Sequence, residues 1–184
     1  MEIPATINTL LELARNASIG KHANYNAAER SKKYKTLFGV PVVVINVALG
    51  SVFFFSINQE LPDIAKWIGA LLALLAASLA ALQTYFNFNR TFEAHRSIAN
   101  RYNELCRECE RLYSLHADEL IETSTVADEL KSLLREYADI NKNAEPFPTD
   151  DKDFQAALTS EDLRQRGLFD RKTGTIARTN IENA

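Results

Sequence analysis

Phe38 to Ile57 reads FGVPVVVINVALGSVFFFSI, twenty residues without a charge, and a helix of that length spans about 30 Å, the thickness of a bilayer's hydrocarbon core. Val, Ile and Phe also suit buried strands, but strands rarely exceed about ten residues, so length selects a spanning helix. Pro41 then falls in its first turn, where the missing amide donor costs little. Outward from this run, Lys35 and Glu60 enclose 24 uncharged residues, and Lys66 and Arg90 enclose another 23. With 24% of the chain charged, one such window arises by chance roughly once in a thousand placements.

The second run, Trp67 to Phe88, reads WIGALLALLAASLAALQTYFNF, rich in Leu and Ala and closed by aromatic residues at both ends like an interfacial belt. Only Asn58 to Lys66 separate the runs, with Pro62 as a breaker, so the second helix must return antiparallel to the first. Arg30, Lys32, Lys33 and Lys35 precede the pair, and Arg90, Arg96 and Arg101 follow it. The connection carries Lys66 beside Glu60 and Asp63. An excess of cations outside the hairpin's loop predicts both termini in the cytoplasm. Two core helices of a soluble bundle are the competing reading, disfavoured because such helices usually carry a polar stripe.

On the second run Gly69, Ala73, Ala76, Ala80, Gln83 and Asn87 recur at intervals of four and three, a stripe that turns from small to polar and predicts a partner helix. Gly39, Val43, Asn46 and Gly50 share a face on the first run at the same spacing. The amides of Asn46 and Gln83 are costly to leave unpaired in hydrocarbon. They are either interhelical hydrogen-bond glue or positions facing a water-filled lumen, together with Thr84 and Asn87. Neither run holds an ionisable residue, which weighs against a proton-coupled transporter or a voltage sensor. Two helices cannot enclose a lumen, so any pore requires a homo-oligomer.

Residues 1–35 include an apolar stripe, Ile7, Leu10, Leu11 and Ala14, predicting a cytosolic amphipathic helix. No Gly or Pro except Gly69 occurs between Trp67 and Pro146. The second span, 67–88, is therefore expected to run on without a break into cytosolic helices over 89–143. Ile98, Tyr102, Leu105, Cys109, Leu112 and His116 repeat at near-heptad spacing. Thr125 with Asp128 resembles a capping box, and Val126, Leu130, Leu133, Tyr137 and Ile140 supply the face of a further helix. The fold class predicted is an all-α membrane protein, a two-helix transmembrane hairpin continuing into a cytosolic helical bundle over residues 1–143. From Glu145 two prolines and Asp150, Asp151 and Asp153 mark a linker. Residues 144–184 read as a polar tail, mobile or partner-contacting, with short helices at Asp153 to Leu158 and Ser160 to Arg166.

The chemistry of catalysis is missing. Cys106-Arg107-Glu108-Cys109 matches C-x-x-C but lies inside the heptad pattern, with no strand before it and no second pair, so packing cysteines are expected. His22, His95 and His116 are scattered, and no Gly-rich phosphate loop, H-E-x-x-H or G-x-S-x-G occurs. No catalytic residue, metal or cofactor is expected. Asn16-Ala17-Ser18 fits a glycosylation sequon, but a cytosolic position leaves it unused. Met1 to Pro4 lack the basic and apolar sequence of a secretory signal. The net charge of −3 disfavours direct nucleic-acid binding.

Two segments carry a resemblance: Tyr25-Asn26-Ala27-Ala28-Glu29-Arg30 before the hairpin, and Phe92-Glu93-Ala94-His95-Arg96-Ser97-Ile98-Ala99-Asn100-Arg101-Tyr102-Asn103-Glu104-Leu105 after it. In this order around a hairpin they resemble the SLATT family, the SMODS and SLOG-associating two-transmembrane effector domains of prokaryotic conflict systems, over about Ile7 to Ile140. The resemblance implies a membrane effector of anti-phage defence that opens a pore or disrupts the bilayer, leading to cell suicide when a partner detects infection. That partner is expected to be a nucleotide-signalling enzyme, a sensor or a reverse transcriptase encoded nearby. The alternative is a membrane anchor or scaffold that recruits a cytosolic partner without conducting.

Overall fold

A computed structural model describes residues 4–56 and 62–160. The first part of the predicted connection between the spans, residues 58–61, lies outside those residues, as do Met1 to Ile3 and the tail beyond Ser160 with all but the first residue of its second short helix. Among the described residues every regular element is helical: α1 (Ala5–Ser56), α2 (Asp63–Phe86), α3 (Phe88–Ala117) and α4 (Thr123–Ala144), with residues 151–160 forming α5. The chain divides into two compact units, Met1–Ala27 with His95–Ala184, and Ala28–Ala94.

The first unit is a helical bundle. Ile7, Leu10, Leu13, Ala14 and Ala17 of α1 meet Ile98, Tyr102, Leu105, Cys106, Cys109 and Leu112 of α3 and Val126, Leu130, Leu133 and Ile140 of α4 in one buried core. The predicted face of α3 enters it from Ile98 to Leu112, His116 staying half-buried outside it, and that of α4 enters with Tyr137 partly buried at its edge. On α1 the prediction is corrected at one position: Leu11 is exposed and Leu13 takes its place. A helix packed against two neighbours buries a broad stripe rather than a narrow seam, so the apolar face extends to 13 and 17. Residues 151–160 form the first of the short helices expected in the tail, and Ala157 and Leu158 pack on Ile19 and Ala23.

The start of α4 departs from the predicted capping box. The helix begins at Thr123, its N-cap Glu122 makes no side-chain capping bond, and Thr125 therefore sits within the first turn. The end of α3 is better determined. Leu120 N–H donates to the Leu115 carbonyl and Glu119 N–H to that of His116, 2.9 and 3.1 Å. This Schellman pattern places Glu119 at φ 58°. Glycine is the residue that accepts this backbone without a Cβ clash. Glu119→Gly is therefore expected to stabilise the bundle by about 0.5–1 kcal/mol, the left-handed strain outweighing the entropy of the freer unfolded chain. A chemical-denaturation midpoint checks it, and a lower midpoint contradicts it.

The second unit pairs residues 28–56 of α1 with α2 and the first turns of α3. Amphipathic helix and first span are not separate elements, as expected from sequence, but one helix of 52 residues with Pro41 inside it. Pro41 removes the amide that would bond the Leu37 carbonyl. No Gly-Pro or turn cluster lies between Arg30 and Pro41 to end the helix earlier.

The predicted unbroken run from α2 into α3 is also corrected. Asn87 takes a left-handed conformation, φ 42° and ψ 49°. Its N–H donates to the Gln83 carbonyl at 3.2 Å, while its Oδ1 accepts from Arg90 N–H at 3.4 Å. One asparagine thus closes α2 and caps α3, using the αL tolerance that asparagine shares with glycine.

Candidate functional site: an apolar hairpin and a polar seam

Helices α1 and α2 each contain a window long and apolar enough to cross a membrane, and almost none of either window is buried within the chain. Val43, Val44 and Val47 on α1 and Ile64, Trp67, Leu71 and Leu74 on α2 are 60–77% exposed. The less exposed positions trace the contact between the helices: Phe38, Val42, Ile45 and Leu49 on α1, and Ala65, Gly69, Leu72, Ala76, Leu79, Ala80 and Gln83 on α2. A Cβ placed on Gly39 would lie 3.2 Å from Gln83 Nε2, and one on Gly69 3.9 Å from Leu49 Cδ2. The missing side chain at Gly39 lets Gln83 lie close on the backbone, whereas at Gly69 a Cβ would make only an ordinary contact.

The expected stripe on α2 is therefore present at Gly69, Ala76, Ala80 and Gln83, whereas Ala73 and Asn87 are exposed. On α1 the expected face contributes Gly39 alone. Val43, Asn46 and Gly50 turn away from α2, and a Cβ on Gly50 would meet nothing within 4 Å. Polarity separates these positions further. The hydroxyls of Ser51, Ser78 and Thr84 donate to Val47, Leu74 and Ala80 carbonyls one turn back, at 2.8–3.0 Å, so they need nothing outside their own helices. Asn46 has no such route, and its amide has no hydrogen-bond partner among the described residues.

At the Gln83 end the hairpin carries a polar collar. Lys35 Nζ donates to Asn89 Oδ1 at 2.7 Å and Asn89 Nδ2 to Glu93 Oε1 at 2.8 Å. Phe88 stacks against Phe38 and Phe86 at 5.6 and 5.5 Å between centroids. A cavity of about 220 Å³ opens here, lined by Lys35, Gln83, Thr84, Asn87, Phe88 and Asn89. Gln83, Thr84 and Asn87 are thus brought together, while Asn46 is not among them.

The bundle holds a polar seam that sequence reasoning missed. His95 and Asn24 are both buried, and the Asn24 amide connects His95 Nδ1 at 2.9 Å to the Gly20 carbonyl at 2.9 Å. Tyr25 donates to Asn100 Oδ1 at 2.8 Å, Asn26 to the Asp153 carbonyl at 3.2 Å, and Tyr102 to Asn141 Oδ1. The two segments flanking the hairpin in sequence therefore meet in space. The available signal was a run of amide and aromatic side chains, Asn24-Tyr25-Asn26, on a helix that otherwise buries alanines.

Cys106 and Cys109 are both buried, in line with the expected packing cysteines. Burial, reinforced by Cys106 and by Glu110 and Glu108, pushes the Cys109 thiol up from 9.0 to about 12. The reactive thiolate is absent at neutral pH. Cys109 is expected to resist iodoacetamide at pH 8 in the folded protein and to react after denaturation; equal rates in the two states contradict this. Because the folded state holds the proton, its stabilising share is complete below about pH 9 and is lost as pH rises towards 12.

Among the described residues no cluster of three His, Cys, Asp or Glu side chains is placed to hold a metal. No curated protein and no solved structure matches the chain significantly. A family profile described as a protein of unknown function, DUF4231, matches residues 23–114, from the seam's first segment through both apolar helices and most of α3. That match takes in half of the 184 residues, and the chain belongs to the DUF4231 family.

Proposed function

We propose that α1 and α2 insert as a hairpin into the inner membrane with both termini cytoplasmic, and that the chain is a membrane effector of a prokaryotic conflict system. In this reading it self-associates and permeabilises the bilayer, killing the cell, when a nucleotide signal or partner sensor engages its helical bundle. The observation that carries the proposal is the exposure of both apolar windows. Core helices of a soluble protein pass the same length test but are buried, and an exposed apolar surface of this extent calls for lipid or protein against it. The SLATT resemblance supplies the defence context.

Asn46 supports the self-association step. An amide without a partner in hydrocarbon costs several kcal/mol, and the nearest relief is the same face of a second copy, where amide can meet amide across an axis or share a water. Activation requires two states that the trigger binds unequally, since a signal with equal affinity for both shifts nothing.

Trp67, the one tryptophan, provides the first test. In vesicles with brominated acyl chains its fluorescence should be quenched, and the protein should stay with the vesicles through alkaline carbonate. Unquenched emission with recovery in the supernatant overturns the membrane reading. Conductance across a planar bilayer in the presence of the trigger then separates the effector from a non-conducting scaffold.

A further inference from the structure

A groove of about 560 Å³ lies in the bundle beside the polar seam. This volume falls within the range of about 300–1,000 Å³ usual for small-molecule sites. Four aromatic rings reach it from different elements: Tyr102 of α3, Tyr137 of α4, Phe147 just beyond α4, and Phe154 of α5. Gly20 forms part of its wall, where a Cβ would come within 3.0 Å of the Tyr102 ring, so the absence of a side chain allows that ring to lie against α1.

The polar groups of the groove are unevenly used. Tyr102 donates to Asn141 Oδ1, which fixes that amide and leaves its NH₂ with no acceptor among the described residues. The Asn16 amide, the Tyr137 hydroxyl and the Glu145 carboxylate, all in the lining, likewise have no partner there. Among the described residues Glu145 is the one charged side chain in the lining, and no Lys or Arg of theirs contributes to it. Among these residues a phosphate would meet a carboxylate and aromatic side chains with no cation to balance it, an arrangement opposite to that of anion sites. A flat ring carrying amino and carbonyl groups at its edge suits the same surface: Phe154, 45% exposed, and the half-buried Tyr137 and Phe147 offer it apolar area over the buried Tyr102, Glu145 accepts from its amino group, and Asn16, Asn141 and Tyr137 supply mixed donors and acceptors.

We propose that this groove binds a planar nitrogen heterocycle without phosphate, of the nucleobase or nucleoside class. Its role as the place where a soluble signal acts rests on the proposed function, whereas the binding itself does not. A nucleotide trigger would then engage the protein elsewhere or through a partner.

The test uses the full chain in detergent, titrated calorimetrically with adenosine, guanosine and cytidine and with their 5′-monophosphates. At least one nucleoside should bind saturably and its monophosphate at least about tenfold more weakly. Glu145→Lys, at an exposed position, should reverse that order, and Asn16→Trp should abolish binding while circular dichroism stays unchanged. The proposal is overturned if no nucleoside binds up to its solubility limit, if a monophosphate binds the unaltered protein equally well or better, or if Glu145→Lys leaves the order as it was. Membrane insertion is read separately by Trp67 quenching, so either result can fail without the other.

Discussion

Leucine in place of Asn46 is expected to leave the chain in the membrane and to remove its self-association there, with loss of any depolarisation that depends on it. Insertion should not suffer, because an amide becomes an apolar side chain on an already exposed face. Association should suffer, because between helices in lipid there is no hydrophobic drive, and packing and hydrogen bonds are what remain. An interhelical amide bond is worth about 1 kcal/mol, or roughly a fivefold change in the association constant for each contact. In a closed ring every interface repeats the change, so the assembled fraction falls far more steeply than one contact suggests. Energy transfer between labelled copies in vesicles measures the first effect, and a potential-sensitive dye the second. Gln83→Leu is the useful contrast, since Gln83 lies on Gly39 of its own chain and its loss should loosen the hairpin before it affects assembly. Undiminished energy transfer in Asn46→Leu would assign that amide to some other purpose.

The difference between Asn46 and Gln83 marks where sequence reasoning stopped. Both are amides within uncharged runs, and spacing placed each on a stripe with glycine. Spacing says which residues share a face; it does not say which face docks when the whole circumference of a helix is apolar. On α2 the alternation of small residues with leucines singled out one side, and the contact falls there at Gly69, Ala76, Ala80 and Gln83. On α1 valines and phenylalanines surround the axis, and the contact settled one position away from the expected stripe, through Phe38, Val42, Ile45 and Leu49. Phe38 on that face stacks on Phe88, just past the turn at Asn87, which no proline or glycine announces.

The bundle was more legible for the opposite reason. Its helices are polar on one side, so Leu105 and Ile140 could only point inward, and both are fully buried. The seam and groove were not legible, because they depend on contacts between residues far apart in sequence, such as Asn24 with His95 and Tyr102 with Asn141. Neither pair follows from any local pattern.

Gly20 is where that hidden geometry should show the larger effect on stability. Within a helix interior glycine is ordinarily a weakness, and replacing it gains up to about 1 kcal/mol for alanine but only ~0.3 kcal/mol for valine. Here the gain is opposed by the Tyr102 ring, three of whose atoms lie 3.0–3.1 Å from the Cβ a substitution would add. That ring has little room to yield: it is 5% exposed, its hydroxyl is bonded to Asn141, and Tyr137 lies 6.0 Å away between centroids. Overpacking of this kind costs about 1–3 kcal/mol. Valine, whose branched Cβ has one favoured rotamer in a helix, should meet the upper part of that range and destabilise the bundle by about 2 kcal/mol net of propensity. Alanine should come out near neutral, its propensity gain offset by a displacement of a few tenths of an ångström in the ring. A double-mutant cycle isolates the cause: Tyr102→Leu costs stability alone but should recover about 1–2 kcal/mol of the Gly20→Val penalty when the two are combined. Denaturation followed by near-ultraviolet circular dichroism of the tyrosines reads the single substitution, and far-ultraviolet signal reads the combination that lacks Tyr102. Strict additivity would mean that the glycine serves something other than the approach of that ring.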